Sequence, residues 1–500
     1  MNVSSDNRQL VEQLNARALA FVRSGQNESA VDLWKQALIL DPWQGVILSN
    51  LIRLLFKSGR FSEGFDIVDA LPEHVISAQM AMLAGQASLS QRTFLKAEQY
   101  FQIASQLRPG DPSIELSLAE SYLGSGKINP AIVLLESLCR SHPSEPAPLL
   151  HLAVAYSESG SYDQADQAYQ LLRSRLPRDS VIQYNAALFY FQLGQLDLTQ
   201  NCLDALLAVD PKSRSGRILL ADLLRAKGLL SDSIELQRTL LHEEPSDFSL
   251  RLPLIYASME DKNWGLAEDY CQQAFLQLLD SPPTRLWSAV YDLPANSQVS
   301  FGGHAQFDPF NIVERYEIFK SGDPLHLKLL NWVRRHPSLL ADRPGKPTRG
   351  GLQTHELFDS SDGCSQDLTN LLLPYIDQYL HTHRNHTTFS SLDRSLLQRL
   401  SGWAVLLRSS GHQIRHTHPE SVLSGVLYLQ IPEDMSNADD SNGSLAFTSN
   451  PLFSEAAAFS PFSVVPAEGT LLLFPSFVPH ETIPFVSSTD RICIAFNYGC

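Results

Sequence analysis

The pattern of apolar and polar positions divides the chain into two parts. Over residues 1–283 apolar side chains recur at the spacing of helix faces, and this rhythm stops near Pro282-Pro283. After Ser401 the apolar residues come in short runs, separated by clusters rich in Ser, Asn and Gly. The change predicts a helical first part and a last part made of short β-strands.

The helical part repeats itself. A small residue recurs at intervals of 34 residues, with a single interval of 33, at Ala30, Gly64, Ala97, Ala131, Ala165, Thr199, Ser233 and Ala267. In six of these eight units a glycine stands five residues before the small residue, and in six a proline stands twelve residues after it. Glycine permits the positive φ that ends one helix, and proline prevents the second helix from continuing. Each unit is therefore predicted to be a pair of closely packed helices.

Eight such units, the second and eighth degenerate, resemble the tetratricopeptide repeat. The resemblance implies a right-handed α-solenoid over residues 1–283, with a concave groove that we expect to bind a protein or peptide. A spacer or oligomerisation arm is the alternative. The sequence does not identify the partner.

Residues 284–350 mix aromatic residues with Gly, Pro and Asn, and we expect a connector that packs on the C-terminal domain, because exposed aromatic rings are costly. Helices are predicted at Leu325–Arg335 and Leu368–Leu380. The predicted strands are Trp403–Leu407, Val422–Gln430, Thr470–Phe474 and Arg491–Asn497. A turn is predicted at Ser409-Ser410-Gly411. Short strands behind covering helices favour an α+β double-stranded β-helix, or jelly roll, over residues 351–500.

Composition excludes several classes of protein. The chain is 44% hydrophobic and has a net charge of −16, so it can form a core and has no basic surface for nucleic acid. The first ten residues lack the apolar run of a secretory signal, and no uncharged apolar stretch approaches the length of a membrane span. The six cysteines form no CxxC pair. We therefore expect a cytoplasmic protein without a disulfide framework.

Candidate chemistry lies in the β-rich part. His416 and His418 are two residues apart, so in an extended strand both imidazoles would face one metal. A third histidine, His480, follows an apolar strand. Arg491 begins another apolar strand, where a buried guanidinium requires a carboxylate partner.

Three segments then resemble one family: HxHPxSxLSGxxYL from His416, LLLFPSxxxH ending at His480, and RxxIAFN from Arg491. They are similar to the 2-oxoglutarate/Fe(II) oxygenases that are distantly related to prolyl 4-hydroxylases, over roughly residues 325–499. The resemblance implies Fe(II) bound by His416, His418 and His480, and 2-oxoglutarate bound by Arg491 with a further hydrogen bond from Tyr428. It implies no catalytic residue beyond these ligands.

The departure from the wider superfamily is His418, which stands where Asp or Glu is usual. Glu420 or Glu481 is an alternative carboxylate ligand, although neither has the expected spacing. The resemblance implies a dioxygenase that hydroxylates a protein or peptide recruited by the solenoid. The alternative function is a non-catalytic scaffold whose jelly roll is degenerate or senses metal. A second histidine-rich segment, His381-Thr-His383-Arg-Asn-His386, is predicted to be a solvated loop.

Overall fold

The structure is a computed structural model of the 500-residue chain. It describes residues 5–245, 247–277, 312–320, 322–341, 346–358, 363–384, 389, 400–418, 421–433, 435, 442–447 and 462–499. The chain divides into two compact units, Met1–Ala155 and Tyr156–Cys500. None of the helices in the described ranges is both long and apolar enough to cross a membrane.

The described residues between 5 and 277 form sixteen α-helices in eight consecutive pairs, as the repeat pattern predicts. The helices are α1 (Ser5–Arg23), α2 (Asn27–Leu40), α3 (Gly45–Lys57), α4 (Phe61–Asp69), α5 (Ala78–Ser90), α6 (Phe94–Leu107), α7 (Pro112–Gly124), α8 (Ile128–Ser141), α9 (Pro146–Glu158), α10 (Tyr162–Arg175), α11 (Ser180–Gln192), α12 (Leu196–Val209), α13 (Arg214–Ala226), α14 (Leu230–Glu243), α15 (Arg251–Glu260) and α16 (Trp264–Gln277). All eight small residues of the 34-residue pattern are buried. At Gly64, for example, a Cβ atom would collide with the ring of Phe56.

The turn between the two helices of a pair has the same backbone conformation in every unit. Six glycines adopt φ values between 70° and 79° there, and Arg92 (φ 56°) and Lys262 (φ 59°) adopt it in the two units without glycine. The residue after Arg92 donates a backbone hydrogen bond from its N–H to the carbonyl of Ser88, at 2.9 Å, which satisfies an end of the first helix. The position in the repeat therefore determines this conformation even where the residue type is unfavourable.

The described residues of the β-rich part form two antiparallel sheets, as expected for a jelly roll. The strands are β1 (Glu314–Glu317), β2 (Leu340–Ala341), β3 (Thr348–Gln353), β4 (Leu400–Gln413), β5 (Leu423–Gln430), β6 (Leu445–Phe447), β7 (Phe462–Val464), β8 (Thr470–Pro475), β9 (His480–Thr482) and β10 (Arg491–Tyr498). The large sheet has the order β1-β8-β5-β10-β4-β3-β2, and the small sheet has the order β7-β6-β9. The predicted fold class, helical repeats followed by a jelly-roll domain, is confirmed.

Both faces of the large sheet are buried. Ile492 and Ile494 of β10 belong to an outer core with helices α17 (Pro324–Arg334) and α18 (Gly363–Thr382). Cys493, between them, belongs to an inner core with Phe447 of the small sheet. Because successive side chains of a strand point to opposite faces, both cores form on one apolar strand.

The inner core also includes residues of the last helix pair, among them Met259 of α15 and Cys271 of α16. The eighth repeat and the β-sheets of the second unit therefore share one cluster of packed side chains. Strands β1 and β2 lie within the segment predicted as a connector and pair with the large sheet. The domain boundaries at residues 283 and 350 stay predictions.

The predicted turn at residues 409–411 is wrong, because β4 continues through it. Arg349 of β3 pairs with His412 and Gly351 pairs with Leu407, so the residues between them on β4 form a bulge. Ser410 has φ 67°, and a Cβ on Gly411 would lie 2.7 Å from the carbonyl oxygen of Gly350. Residues typical of turns here bend a strand instead of ending it.

Candidate metal centre

Three histidines meet at the end of the space between the two sheets. His416 follows β4 and forms an isolated antiparallel bridge with His480, the first residue of β9, through two backbone hydrogen bonds of 3.0 Å. The N–H of His418 donates to the carbonyl of Ser476 at 2.9 Å. One nitrogen of each imidazole lies within 4.8 Å of the other two. Within the described ranges this cluster contains no carboxylate and no thiol.

The prediction that His416 and His418 lie on one regular strand is wrong in detail. Only His416 takes part in a β-bridge, and His418 follows in irregular backbone. The segment is held by its hydrogen bonds to His480 and Ser476, which come from a distant part of the chain. These backbone hydrogen bonds bring the three rings together, although the segment does not form a continuous pair of strands.

Hydrogen bonds orient two of the three rings. Nδ1 of His416 lies 2.7 Å from the carbonyl oxygen of Ile414, and Nδ1 of His480 lies 2.9 Å from that of Val478. Because a carbonyl can only accept, each Nδ1 carries the proton and each Nε2 keeps its lone pair. The two rings therefore offer Nε2 as the ligand atom.

Burial keeps the imidazoles uncharged at neutral pH. It lowers the pKa of His416 to about 4, with a small opposing effect of the carbonyl of Ile414. Burial, followed by the neighbouring histidines, lowers the pKa of His418 well below its usual value. Burial likewise lowers the pKa of His480. Neutral imidazole is the form that binds a metal ion.

Aromatic side chains surround the cluster. The ring of His480 lies 4.9 Å from that of Phe474 and 6.4 Å from that of Phe447, measured between centroids. The ring of His418 lies 5.5 Å from that of Trp403. An apolar surround of this kind limits the access of water to a metal site.

Arg491 occupies the inner face of β10 and is 1% exposed. Its Cζ lies 5.0 Å from the centroid of the Tyr428 ring, and its Nη1 lies 3.7 Å from Sγ of Cys493. Within the described part of the chain, Nε of Arg491 and the hydroxyl of Tyr428 are buried without a hydrogen-bond partner. Burial raises the pKa of Tyr428 to about 12, so the hydroxyl stays a donor. Buried donors of this kind indicate a place for an anionic ligand.

The alternative carboxylates have different outcomes. Glu420 lies outside the described residues. Glu481 follows His480 directly in β9, so its side chain points to the opposite face of that strand and is not part of the cluster. The sequence indicates Trp403 only as the first residue of a predicted strand. The alternation of residues along its strand could have placed Trp403 on the inner face. A single sequence does not show that this position lies beside His418.

The described part of the second histidine-rich segment, residues 381–384, is not a solvated loop, so the prediction is wrong there. His381 and Thr382 end helix α18. Nε2 of His383 lies 2.7 Å from Oε1 of Glu314 in β1, and its ring lies 4.6 Å from that of Tyr379. His386 lies outside the described residues. The pairing with Glu314, 69 residues away, could not be read from the local pattern.

Comparison with known families supports both resemblances. Residues 401–497 match the family described as "Putative 2OG-Fe(II) oxygenase", which indicates an oxidoreductase domain. Residues 149–178 and 184–248 match tetratricopeptide-repeat families, which generally mediate protein–protein interaction. The predicted combination of repeats and oxygenase domain is confirmed.

Two curated relatives are similar over part of the chain, and both are called cellulose synthase operon protein C. The protein from Pseudomonas fluorescens (strain SBW25) is 29% identical over 154 residues, which are 29% of this chain and 12% of that protein. The protein from Xanthomonas axonopodis pv. citri (strain 306) is 29% identical over 187 residues, 32% of this chain and 12% of that protein. The chain thus spans only a small part of either relative.

Solved structures of repeat proteins are similar as well. A tetratricopeptide repeat protein from Parabacteroides merdae is 16% identical, with a TM-score of 0.44, over 50% of this chain and 99% of that chain. A thermophilic tetratricopeptide-repeat protein of Thermus thermophilus is 23% identical, with a TM-score of 0.33, over 36% of this chain and 99% of that chain.

Proposed function

We propose that the jelly-roll domain is a 2-oxoglutarate- and Fe(II)-dependent dioxygenase that hydroxylates a protein or peptide recruited by the repeats. The observation that carries the proposal is the pairing of two features in one inner space. One is the cluster of His416, His418 and His480, and the other is the buried Arg491, whose Nε has no hydrogen-bond partner among the residues that the structure describes. A metal ion and an anionic ligand would complete both.

The three imidazoles suit a divalent first-row metal, because neutral imidazole is a ligand both of Fe(II) and of other metals of that row. His416 and His480 would each contribute Nε2, held in place by the hydrogen bonds from Nδ1. With His418 in place of a carboxylate, the site keeps one more positive charge than the usual set. A ligand with two negative charges would offset that charge.

Arg491 and Tyr428 would bind the carboxylate of 2-oxoglutarate that lies far from the metal. A guanidinium presents two parallel N–H donors to a carboxylate, and the Tyr428 hydroxyl adds a third donor. When bound together, Fe(II) and 2-oxoglutarate supply the oxidising chemistry that hydroxylates a C–H bond and releases succinate and CO2. The chain's own residues bind, orient and keep the site dry.

The repeats support a macromolecular substrate. The eighth helix pair shares the inner core of the jelly roll, so in the second unit the repeats are joined to the domain that carries the site. A peptide held by the repeats of the second unit would then be bound by the same compact unit that carries the site. No disulfide bond joins the cysteines within the described ranges, which supports a reducing compartment such as the cytoplasm.

Anaerobic titration of the full chain with Fe(II), with and without 2-oxoglutarate, tests the proposal. We expect a metal-to-ligand charge-transfer band only when both are present. Arg491→Ala should bind Fe(II) normally and lose 2-oxoglutarate, whereas Arg491→Lys should recover part of the affinity because it keeps the charge. Unchanged 2-oxoglutarate binding in Arg491→Ala would show that the arginine is structural.

The scaffold alternative keeps one observation in its favour, the absence of a carboxylate from the described metal cluster. It predicts that the chain binds a metal ion and shows no charge-transfer band with 2-oxoglutarate. The same titration therefore separates a dioxygenase from a metal-binding interaction protein.

A further inference from the structure

Trp403 carries a buried donor that the proposed function does not use. Its indole Nε1 is buried and has no hydrogen-bond partner among the residues that the structure describes. The indole lies beside the metal cluster, 5.5 Å from the ring of His418 between centroids. Buried N–H groups are almost always paired in folded proteins, so this one indicates a missing acceptor.

The strand register places Trp403 and Arg491 on one inner face. Trp403 of β4 lies opposite Ala495 of β10, Val405 lies opposite Cys493, and Leu407 lies opposite Arg491. Val405 and Cys493 both belong to the inner core, and alternate residues share a face. These residues form a row along the inner face of the sheet. Trp403 therefore lies at the end of this row near His418, and the backbone of Arg491 lies at the other end.

The guanidinium reaches back along this row. Its Cζ lies over the ring of Tyr428, which pairs with Cys493, and its Nη1 contacts the sulfur of Cys493. The donors of Arg491 and Tyr428 thus lie near Cys493. Cys493 is two residues along β10, roughly 6.6 Å, from Ala495, the residue opposite Trp403. Ala495, opposite Trp403, has the smallest side chain among these residues.

We propose that Trp403 is a positioning residue for the cosubstrate, whose indole N–H donates a hydrogen bond to the carboxylate on the metal side. The inference rests on the proposed function and extends it, since Arg491 and Tyr428 account only for the far carboxylate. An indole N–H can only donate and a carboxylate can only accept, so the pair is matched in chemistry. The bond orients the ligand beside His418.

Trp403→Phe tests this role, because it keeps an aromatic ring and removes the N–H. The matched control is Trp332→Phe, which makes the same change in α17, on the outer side of the large sheet. In anaerobic titrations of the full chain we expect Trp403→Phe to bind Fe(II) as the wild type does. Its dissociation constant for 2-oxoglutarate should rise about tenfold, and the charge-transfer band should shift. Trp332→Phe should change none of these.

A second measurement uses the unaltered chain, so it does not depend on how the variant folds. The full chain labelled with [15N]tryptophan and loaded with Zn(II) has six indole signals, one for each tryptophan. The signal of Trp403 is identified in the Co(II)-loaded chain by a large paramagnetic shift. Adding 2-oxoglutarate should move this signal downfield and slow its exchange with water.

The outcomes separate this inference from the proposed function. If wild type binds 2-oxoglutarate, Trp403→Phe binds it equally well and the indole signal does not move, the inference is overturned and the proposed function stands. If the wild type does not bind 2-oxoglutarate, the proposed function fails and the role of Trp403 fails with it. If Trp403→Phe also loses Fe(II), the indole signal decides: a shift supports the role, and an unmoved signal overturns it.

Discussion

The chain contains the tripeptide His-Thr-His twice, and the two copies fold differently. His381 and Thr382 end helix α18 and His383 follows directly. Residues two apart on a helix are rotated by about 200° around its axis, so they point to nearly opposite sides. His416-Thr417-His418 is held in non-helical backbone against His480, and its two imidazoles share a cluster with a third. The spacing of the histidines is identical, so the spacing alone does not make a metal site.

The decisive contacts of both copies come from far along the chain. His383 contacts Glu314, which lies in β1 and supplies a carboxylate in place of further histidines. His416 pairs with His480, which β8 and the turn after it carry into position. The backbone conformation and the distant partner together decide which copy places its histidines in a cluster with a third.

The strongest test of this comparison is to remove each histidine. His416→Ala, His418→Ala and His480→Ala should each weaken metal binding by about tenfold or more, because each removes one of three ligands. His381→Ala and His383→Ala make the same chemical change in the other copy and should bind metal as the wild type does. Elemental analysis after dialysis measures all five variants.

His418 is the proposed ligand that stands where oxygenases of the resembled superfamily usually have Asp or Glu, so it needs its own variants. His418→Asp should retain the metal, because it places a carboxylate at the usual position. If His418→Ala keeps its metal while Glu420→Gln loses it, then Glu420 is the third ligand and the assignment of His418 is wrong. Equal occupancy in every variant would show that the cluster does not bind metal.

A second test changes the backbone that leads to the metal site. A Cβ on Gly411 would lie 2.7 Å from the carbonyl oxygens of Gly350 and Arg408, so Gly411→Ala must displace the bulge that precedes His416. We expect a loss of about 1–3 kcal/mol in the free energy of unfolding and weaker metal binding. Urea unfolding and metal titration measure the two effects.

The control is Gly363→Ala at the start of helix α18, which leads to the other His-Thr-His copy. No atom lies within 4 Å of a Cβ at Gly363, so this variant should leave metal binding and stability nearly unchanged. A metal affinity that is equally insensitive to Gly411→Ala would mean that the bulge does not position His416.

The repeats were predictable from the sequence because their contacts are local. Each unit packs mainly on its neighbours, so the 34-residue pattern already contains the helix pairs and their buried small residues. In the jelly roll, apolar runs predict β5, β8 and β10 to within one residue and the middle of β4, but they miss the other six strands of the described ranges. Motif wording indicates the three histidines and Arg491. The bulge at residues 409–411 and the pairing of His383 with Glu314 depend on backbone and side chains far along the chain. No local pattern contains that information.

A third test concerns what the other His-Thr-His copy does instead of binding metal. His383 links α18 to Glu314 and also contacts the ring of Tyr379, so His383→Ala should lower the free energy of unfolding by about 1–2 kcal/mol. His381 is exposed, and His381→Ala should stay within about 0.5 kcal/mol of wild type. Urea unfolding compares the two, and equal effects would contradict a structural role that is specific to His383.

The prediction with the smallest expected effect concerns the repeats. There, the position in the repeat rather than the residue type determines the backbone conformation. Arg92 adopts φ 56° where six units have glycine, and this left-handed conformation costs a non-glycine residue about 1–2 kcal/mol. Arg92→Gly removes that cost and adds about 0.5–1 kcal/mol of chain entropy to the unfolded state. We therefore expect a net gain of about 0.5–1 kcal/mol in the free energy of unfolding.

The control is Gly59→Ala, at the equivalent turn of the preceding unit. Its Cβ meets no atom within 4 Å, so the variant should lose a similar amount of stability through backbone strain alone. The midpoint of urea unfolding, followed by far-UV circular dichroism, should shift in opposite directions for the two variants. A loss of stability in Arg92→Gly would show that contacts of the arginine side chain outweigh the strain of its backbone.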